Sequence, residues 1–197
     1  QPAAAGPSGP AAGSAAWNQA MTMQARMAFN YTFSGGGLWV GQIGYKPGEY
    51  TKFRWEAKGE DSMTMERAFL KKLDDGKEWW RVSWNVEKDT WVWEALLDPK
   101  TGQALRMRAR DPDGQTGEVP VTGDMLYSPQ AQVTKESVQA ATVGTEKVQV
   151  PAGTYTAQHV VYSSAGGKVD FWTVDTVPGG VVKYLSVDPK QSKTWTS

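Results

Sequence analysis

The chain has no cysteine. That excludes disulfides, thiolate metal sites and cysteine nucleophiles at a stroke. It has a single histidine, His159, so a metal site built on paired histidines is excluded as well. Charge of either sign is not in excess: 21 Lys plus Arg balance 21 Asp plus Glu, and the net charge is zero. Nothing in that balance attracts nucleic acid in bulk. No apolar run approaches the ~18 residues a membrane helix needs, so the chain is expected to be soluble, or peripheral at a membrane at most. Helix signals are sparse too.

The first 16 residues, QPAAAGPSGPAAGSAA, carry no charge and no hydrophobic period. Such a tract cannot bury enough surface to fold alone. With the chain starting at Gln1, the expectation is a flexible tether over residues 1–16 left by a cleaved export signal. Residues 17–197 then form one β domain, a size that supports a real core.

Beyond the tether the dominant pattern is period two, as in strands that show alternate residues to opposite faces. From Met21 to Phe33 the odd positions are mostly apolar and the even ones mostly polar, which predicts a long strand. Phe53, Trp55 and Ala57 alternate with Lys52, Arg54, Glu56 and Lys58. Trp80, Val82, Trp84 and Val86 share a face, as do Trp91, Trp93, Ala95 and Leu97. Leu105, Met107 and Ala109 alternate with Arg106, Arg108 and Arg110. Asp75-Gly76 predicts a two-residue hairpin turn, and Asp98-Pro99-Lys100-Thr101-Gly102 a type I turn closed by glycine. Gly35-Gly36-Gly37 and Gly166-Gly167 are expected to close further hairpins. About ten strands result, an all-β antiparallel architecture with one or two short helices. One helix is placed from Ser128-Pro129 through about Ala141, with proline at its first position; another short turn is placed over residues 14–20.

Chemistry-bearing patterns are few. His159 lies in a strand-like run with no nucleophile elbow near it, and reads as a satisfied strand histidine. Asp111-Pro112-Asp113-Gly114 superficially suggests calcium, but lacks the ligand spacing of a calcium loop and reads as a turn. No phosphate-cradling glycine loop is present. No catalytic residue, metal or cofactor is expected, and the chain reads as a non-enzyme. The excess is aromatic and thioether: ten Trp and seven Met. Met23, Met27, Phe29, Trp55, Met65, Trp84 and Trp93 are the candidate lining of an apolar ligand site, the alternative being plain core. Arg106, Arg108 and Arg110 form a stripe that is either an anion contact or a solvated face. Trp79 and Trp39, opposite the main apolar set, would suit carbohydrate.

In the last third, Val150-Pro151-Ala152-Gly153-Thr154-Tyr155 and Val177-Pro178-Gly179-Gly180-Val181-Val182-Lys183 bracket neighbouring strands. Over residues 144–187 this resembles bacterial exported proteins with a lipoprotein-carrier (LolA-like) half-barrel. The resemblance implies a periplasmic or outer-membrane-associated protein with a strongly curved antiparallel sheet around an apolar concavity. It implies an apolar ligand, a lipid or a lipidated protein as partner, with a subunit role in an envelope complex as the alternative. The helices that plug the concavity in that family have no clear counterpart in the sequence pattern.

Overall fold

In the computed structural model the described residues are 9–35, 44–56, 61–121, 126–127, 134–164, 167–188 and 193–196. The architecture is antiparallel β with two short helices, as the alternation implies. Helix α1 (Ala15–Asn30) continues into a π-helical turn (Tyr31–Gly35). Six strands follow: β1 (Tyr50–Trp55), β2 (Met63–Lys72), β3 (Glu78–Val86), β4 (Asp89–Asp98), β5 (Gln103–Arg110) and β6 (Thr116–Val119). They form one sheet in chain order. Helix α2 (Lys135–Ala141) leads into β7 (Thr142–Val150), β8 (Gly153–Ser164), β9 (Gly167–Thr173), β10 (Val181–Asp188) and β11 (Lys193–Thr196). These make a second sheet in the order β11-β10-β9-β8-β7. The strands thus divide between two sheets, which do not close into a barrel. β1 lies beside β11, and Trp55 meets Tyr184 edge-on across that junction at 4.8 Å between ring centroids.

The long strand expected over Met21–Phe33 is instead α1. The reason is local. Ser14 caps the helix, its hydroxyl accepting from the Trp17 N–H at 3.2 Å. The segment is built of Ala, Met, Gln and Arg, all strong helix formers, with few β-branched residues. Trp17, Met21, Ala25, Ala28 and Phe29 are buried, spaced by three and four as one helix face requires. The period-two reading arose because Met at 23 and 27 and Phe at 29 fell on odd numbers by composition alone. Its start also lies inside the tract read as tether. Gln115 ties residues 10–12 to the β5–β6 turn, its Oε1 accepting from Ala12 N–H at 3.0 Å and its Nε2 donating to Pro10 O at 3.2 Å.

Two turn predictions fared differently. At Asp98–Gly102, Gly102 N–H donates to Asp98 O at 2.8 Å with Gly102 at φ 69°, as expected. At Asp75-Gly76 only Gly76 has positive φ. Gly76 N–H bonds Leu73 O at 2.9 Å, a turn one residue longer than the two-residue form. Within the described residues α2 starts at Lys135 and is capped by Thr134; residues 128–133, with Ser128-Pro129, and Gly36-Gly37, Ala57, Lys58 and Gly166 lie outside the described residues.

The main core is α1 against the inner face of the six-stranded sheet, where Trp17, Met21 and Phe29 pack with Trp80, Val82, Trp93, Leu97 and Met107. Small residues admit the helix: Gly117 sits so close under Trp17 that an added Cβ would meet its ring at 3.3 Å. A second cluster joins Trp55 and Met65 to Val160, Phe171 and Tyr184 of the other sheet.

Candidate functional site

The inner face of the six-stranded sheet is the apolar face foreseen, and α1 covers it. Both ends of that cover are pinned by polar contacts. At the N-terminal end the Trp17 indole N–H donates to Asp111 Oδ2 at 2.7 Å, within a buried setting. Asp111 Oδ1 also accepts from Gln115 N–H at 2.8 Å, which makes the acidic loop a structural turn. At the other end Arg67 of β2, only 2% exposed, donates to the Thr32 carbonyl at 2.9 Å and to the Tyr45 hydroxyl at 3.0 Å. A cation suits that position, since the last carbonyls of a helix are unpaired and carry partial negative charge.

Between these pins lies an aromatic group with an unusual polar deficit. Tyr31, in the π-helical turn, meets Trp55 and Trp84 edge-on, both at 5.6 Å. Burial, reinforced by Tyr184, pushes the Tyr31 phenol far above its ordinary range; burial likewise raises Tyr184. The indole N–H groups of Trp55, Trp84 and Trp93 are buried and have no acceptor among the described residues. Buried donors are nearly always paired, and an orphan costs roughly 1–3 kcal/mol.

The seven residues expected to line an apolar site separate accordingly. Phe29 and Trp93 are buried in the α1 core on the inner face, Trp55 and Met65 are buried in the second cluster against the other sheet, and Trp84 is half-buried between the two. Met23 and Met27 are not among them: they are 58% and 48% exposed on the outer side of α1. The error follows from reading α1 as a strand, where positions 23 and 27 would share a face with 21, 25 and 29. The same error hid the helix that covers the inner face of the six-stranded sheet. Sequence alternation could not reveal Arg67 either, because on its strand it occupies an inward position normally filled by a hydrophobe.

The outer face of the sheet is polar and ordered into cross-strand charge pairs. Arg81 meets Glu66 at 3.0 Å, and Arg108 Nε donates to Glu94 at 2.7 Å. Arg106 pairs with Glu118, which holds the Glu118 carboxyl below and the Arg106 guanidinium above their usual ranges. Trp79 lies on this face, with the Arg108 guanidinium 5.9 Å from its ring centroid; Trp39 is outside the described residues. An open depression of about 630 Å³ crosses β2 to β6 here. The regular alternation of Leu105 fails because a bulge opposite Leu96 and Leu97 turns Leu105 outward, leaving Ala104 and Met107 inside.

On the second sheet His159 Nε2 lies 2.8 Å from Asp170 Oδ1, and its ring stacks on Trp172 at 4.6 Å. Glu146 accepts the Trp172 indole N–H at 2.5 Å. Among the described residues the imidazole's polar partners are carboxylates, Asp170 at Nε2 and Glu146 3.4 Å from Nδ1. Among the described residues no group of three His, Asp or Glu is arranged to hold a metal, and no helix is long and apolar enough to cross a membrane. No protein-family model, no curated protein and no solved structure matches this chain.

Proposed function

We propose that this protein is a non-enzymatic binder of an acylated ligand, a lipid or the lipid moiety of a lipidated protein, in the bacterial envelope. The ligand takes the inner face of the six-stranded sheet in exchange with α1. The observation that carries this reading is the set of three buried indole N–H groups that lack an acceptor among the described residues: Trp93 under α1, Trp84 between the two clusters and Trp55 in the second cluster beside it. Ala25, Ala28 and Phe29 of the covering helix have no acceptor in their side chains. An acyl ester or amide adds a carbonyl oxygen to a hydrocarbon chain, and so satisfies such donors while keeping the face apolar. The π-helical turn beside Trp55 and Trp84 supplies a point where the helix departs from regular bonding, a feature that recurs at working sites. Two anchors, Trp17 and Arg67, then define the covered state.

A second reading, a structural subunit of an envelope complex, is favoured by how completely α1 fills the inner face and by the bonds that hold residues 10–12 in place. One titration separates them. Indole N–H resonances of the protein are followed by NMR as lysophosphatidylcholine is added. The ligand reading expects the Trp55, Trp84 and Trp93 signals to move downfield together, as new acceptors deshield them. Unmoved inner indoles at saturating lipid, with a stoichiometric protein complex in native mass spectrometry of material from its own cells, would establish the subunit role instead.

A further inference from the structure

The arginine stripe on β5 resolves, in three dimensions, into two neutralised side chains and one that is not. Arg106 is paired with Glu118 and Arg108 with Glu94. Arg110 has no acidic partner among the described residues, although its strand neighbours are all engaged. By register it stands directly opposite Val92 on one side and Thr116 on the other, and Ser83 is the next residue along the same cross-strand row. Neighbouring strands are ~4.8 Å apart, so Ser83 lies roughly 10 Å from Arg110 across the sheet. All four residues line the 630 Å³ depression on the outer face. That volume falls within the ~300–1,000 Å³ span of small-ligand sites.

We infer that this depression is a second binding site, for a hydroxylated monocarboxylate of the sugar-acid class. The charge decides the anion. A planar guanidinium engages a carboxylate through two parallel hydrogen bonds. Glu66, Glu94 and Glu118 line the same depression and are each paired with an arginine, so Arg110 carries the one unmatched charge there: a single negative charge neutralises it, whereas a dianionic phosphate leaves one negative charge in excess. The hydroxyl groups of Ser83, Thr90 and Thr116, which both donate and accept, suit the ring hydroxyls of a sugar rather than a hydrocarbon. The site is independent of the inner face and of its proposed ligand.

The test uses the whole protein and D-glucuronate as probe, with D-glucose and inorganic phosphate at equal ionic strength, read by NMR chemical-shift titration. The expected result is saturable glucuronate binding that perturbs Arg110, Thr116 and Ser83, with at least about tenfold weaker response to glucose and phosphate. Arg110→Gln weakens glucuronate binding about tenfold or more, and Arg54→Gln, a surface change on β1, leaves it within about twofold. Glu94→Gln releases Arg108 and strengthens binding severalfold, a gain that misfolding cannot produce. The inference is overturned if Arg110→Gln binds as the wild type does, if phosphate binds as tightly as glucuronate, or if shifts spread evenly over all surface arginines.

Discussion

Replacing Trp17 by Phe removes one hydrogen bond whose loss is measurable in isolation. The Trp17 indole N–H donates to Asp111 Oδ2 at 2.7 Å, and both residues are buried, at 2% and 7% exposure. A bond to a charged acceptor contributes about 1.5–3 kcal/mol. Shrinking the indole to a phenyl ring leaves a partial cavity costing about 1 kcal/mol more. Trp17→Phe should therefore cost about 3 kcal/mol, which for a chain of this size lowers Tm by roughly 6–12 °C. Asp111→Ala separates the two contributions. In that background the acceptor is gone, and Trp17→Phe should cost only its cavity, about 1 kcal/mol. Urea unfolding followed by far-ultraviolet circular dichroism gives all four corners of the cycle, with unchanged m-values as the check on two-state behaviour. A coupling below about 0.5 kcal/mol would refute the claim that this bond pins the helix.

Two further outcomes follow from backbone and side-chain states. Glu87 at the β3–β4 turn has φ 52° and is exposed, a conformation asparagine tolerates better than glutamate; Glu87→Asn should stabilise by about 0.5–1 kcal/mol in the same urea assay. Burial raises the phenols of Tyr31, Tyr127 and Tyr184. A raised folded value means that the stabilisation is complete below the ordinary phenol range near ~10 and is lost as pH climbs through it, because the unfolded chain ionises first. Phenolate absorbance in an alkaline titration should accordingly show these three tyrosines ionising only with unfolding, and an early, reversible titration of all seven tyrosines would contradict their burial.

How much of this was legible depends on which physical signal each element carries. Strands β3 and β4 alternate cleanly because one face meets a core and the other meets water, and their residues could be assigned to faces from spacing alone; β5 does so only past the bulge at Leu105. The Asp98–Gly102 turn was equally legible, since its conformation is set by residues next to one another. α1 was not legible by alternation, because its apolar residues satisfy period two and period 3.6 at once; the Ser14 cap and the Ala- and Met-rich composition are what decide it. The division of the strands into two sheets, between β6 and β7, leaves no mark in the alternation, and the contact of β1 with β11 joins elements far apart in sequence. The arginine stripe was visible, but the one arginine without a counter-ion was not, since its neighbours' partners Glu94 and Glu118 come from other strands. The orphan indoles belong to the same class: a side chain's type is written in the sequence, while the absence of an acceptor is a property of the assembled core.

The energetics of α1 set a condition on the ligand proposed for the inner face. Lifting the helix exposes Trp17, Met21, Phe29 and Phe33, all buried, at about 1.5–3 kcal/mol each. The sum, roughly 6–12 kcal/mol, rivals the entire stability of an ordinary domain, about 5–15 kcal/mol. Spontaneous opening is therefore too rare to matter, and the ligand must replace what the helix provided. Each buried methylene returns about 0.8 kcal/mol. A chain of about eight methylenes returns only ~6 kcal/mol and sits at the lower edge of the requirement, whereas about sixteen return ~13 kcal/mol and exceed it. Displacement of α1 should then set in only beyond a threshold chain length. In a series of lysophosphatidylcholines, octanoyl forms should leave the inner indole resonances unmoved and palmitoyl forms should shift them. Inner indole resonances left unmoved by the palmitoyl form as well would mean that the ligand never displaces α1 and that the helix is permanent core.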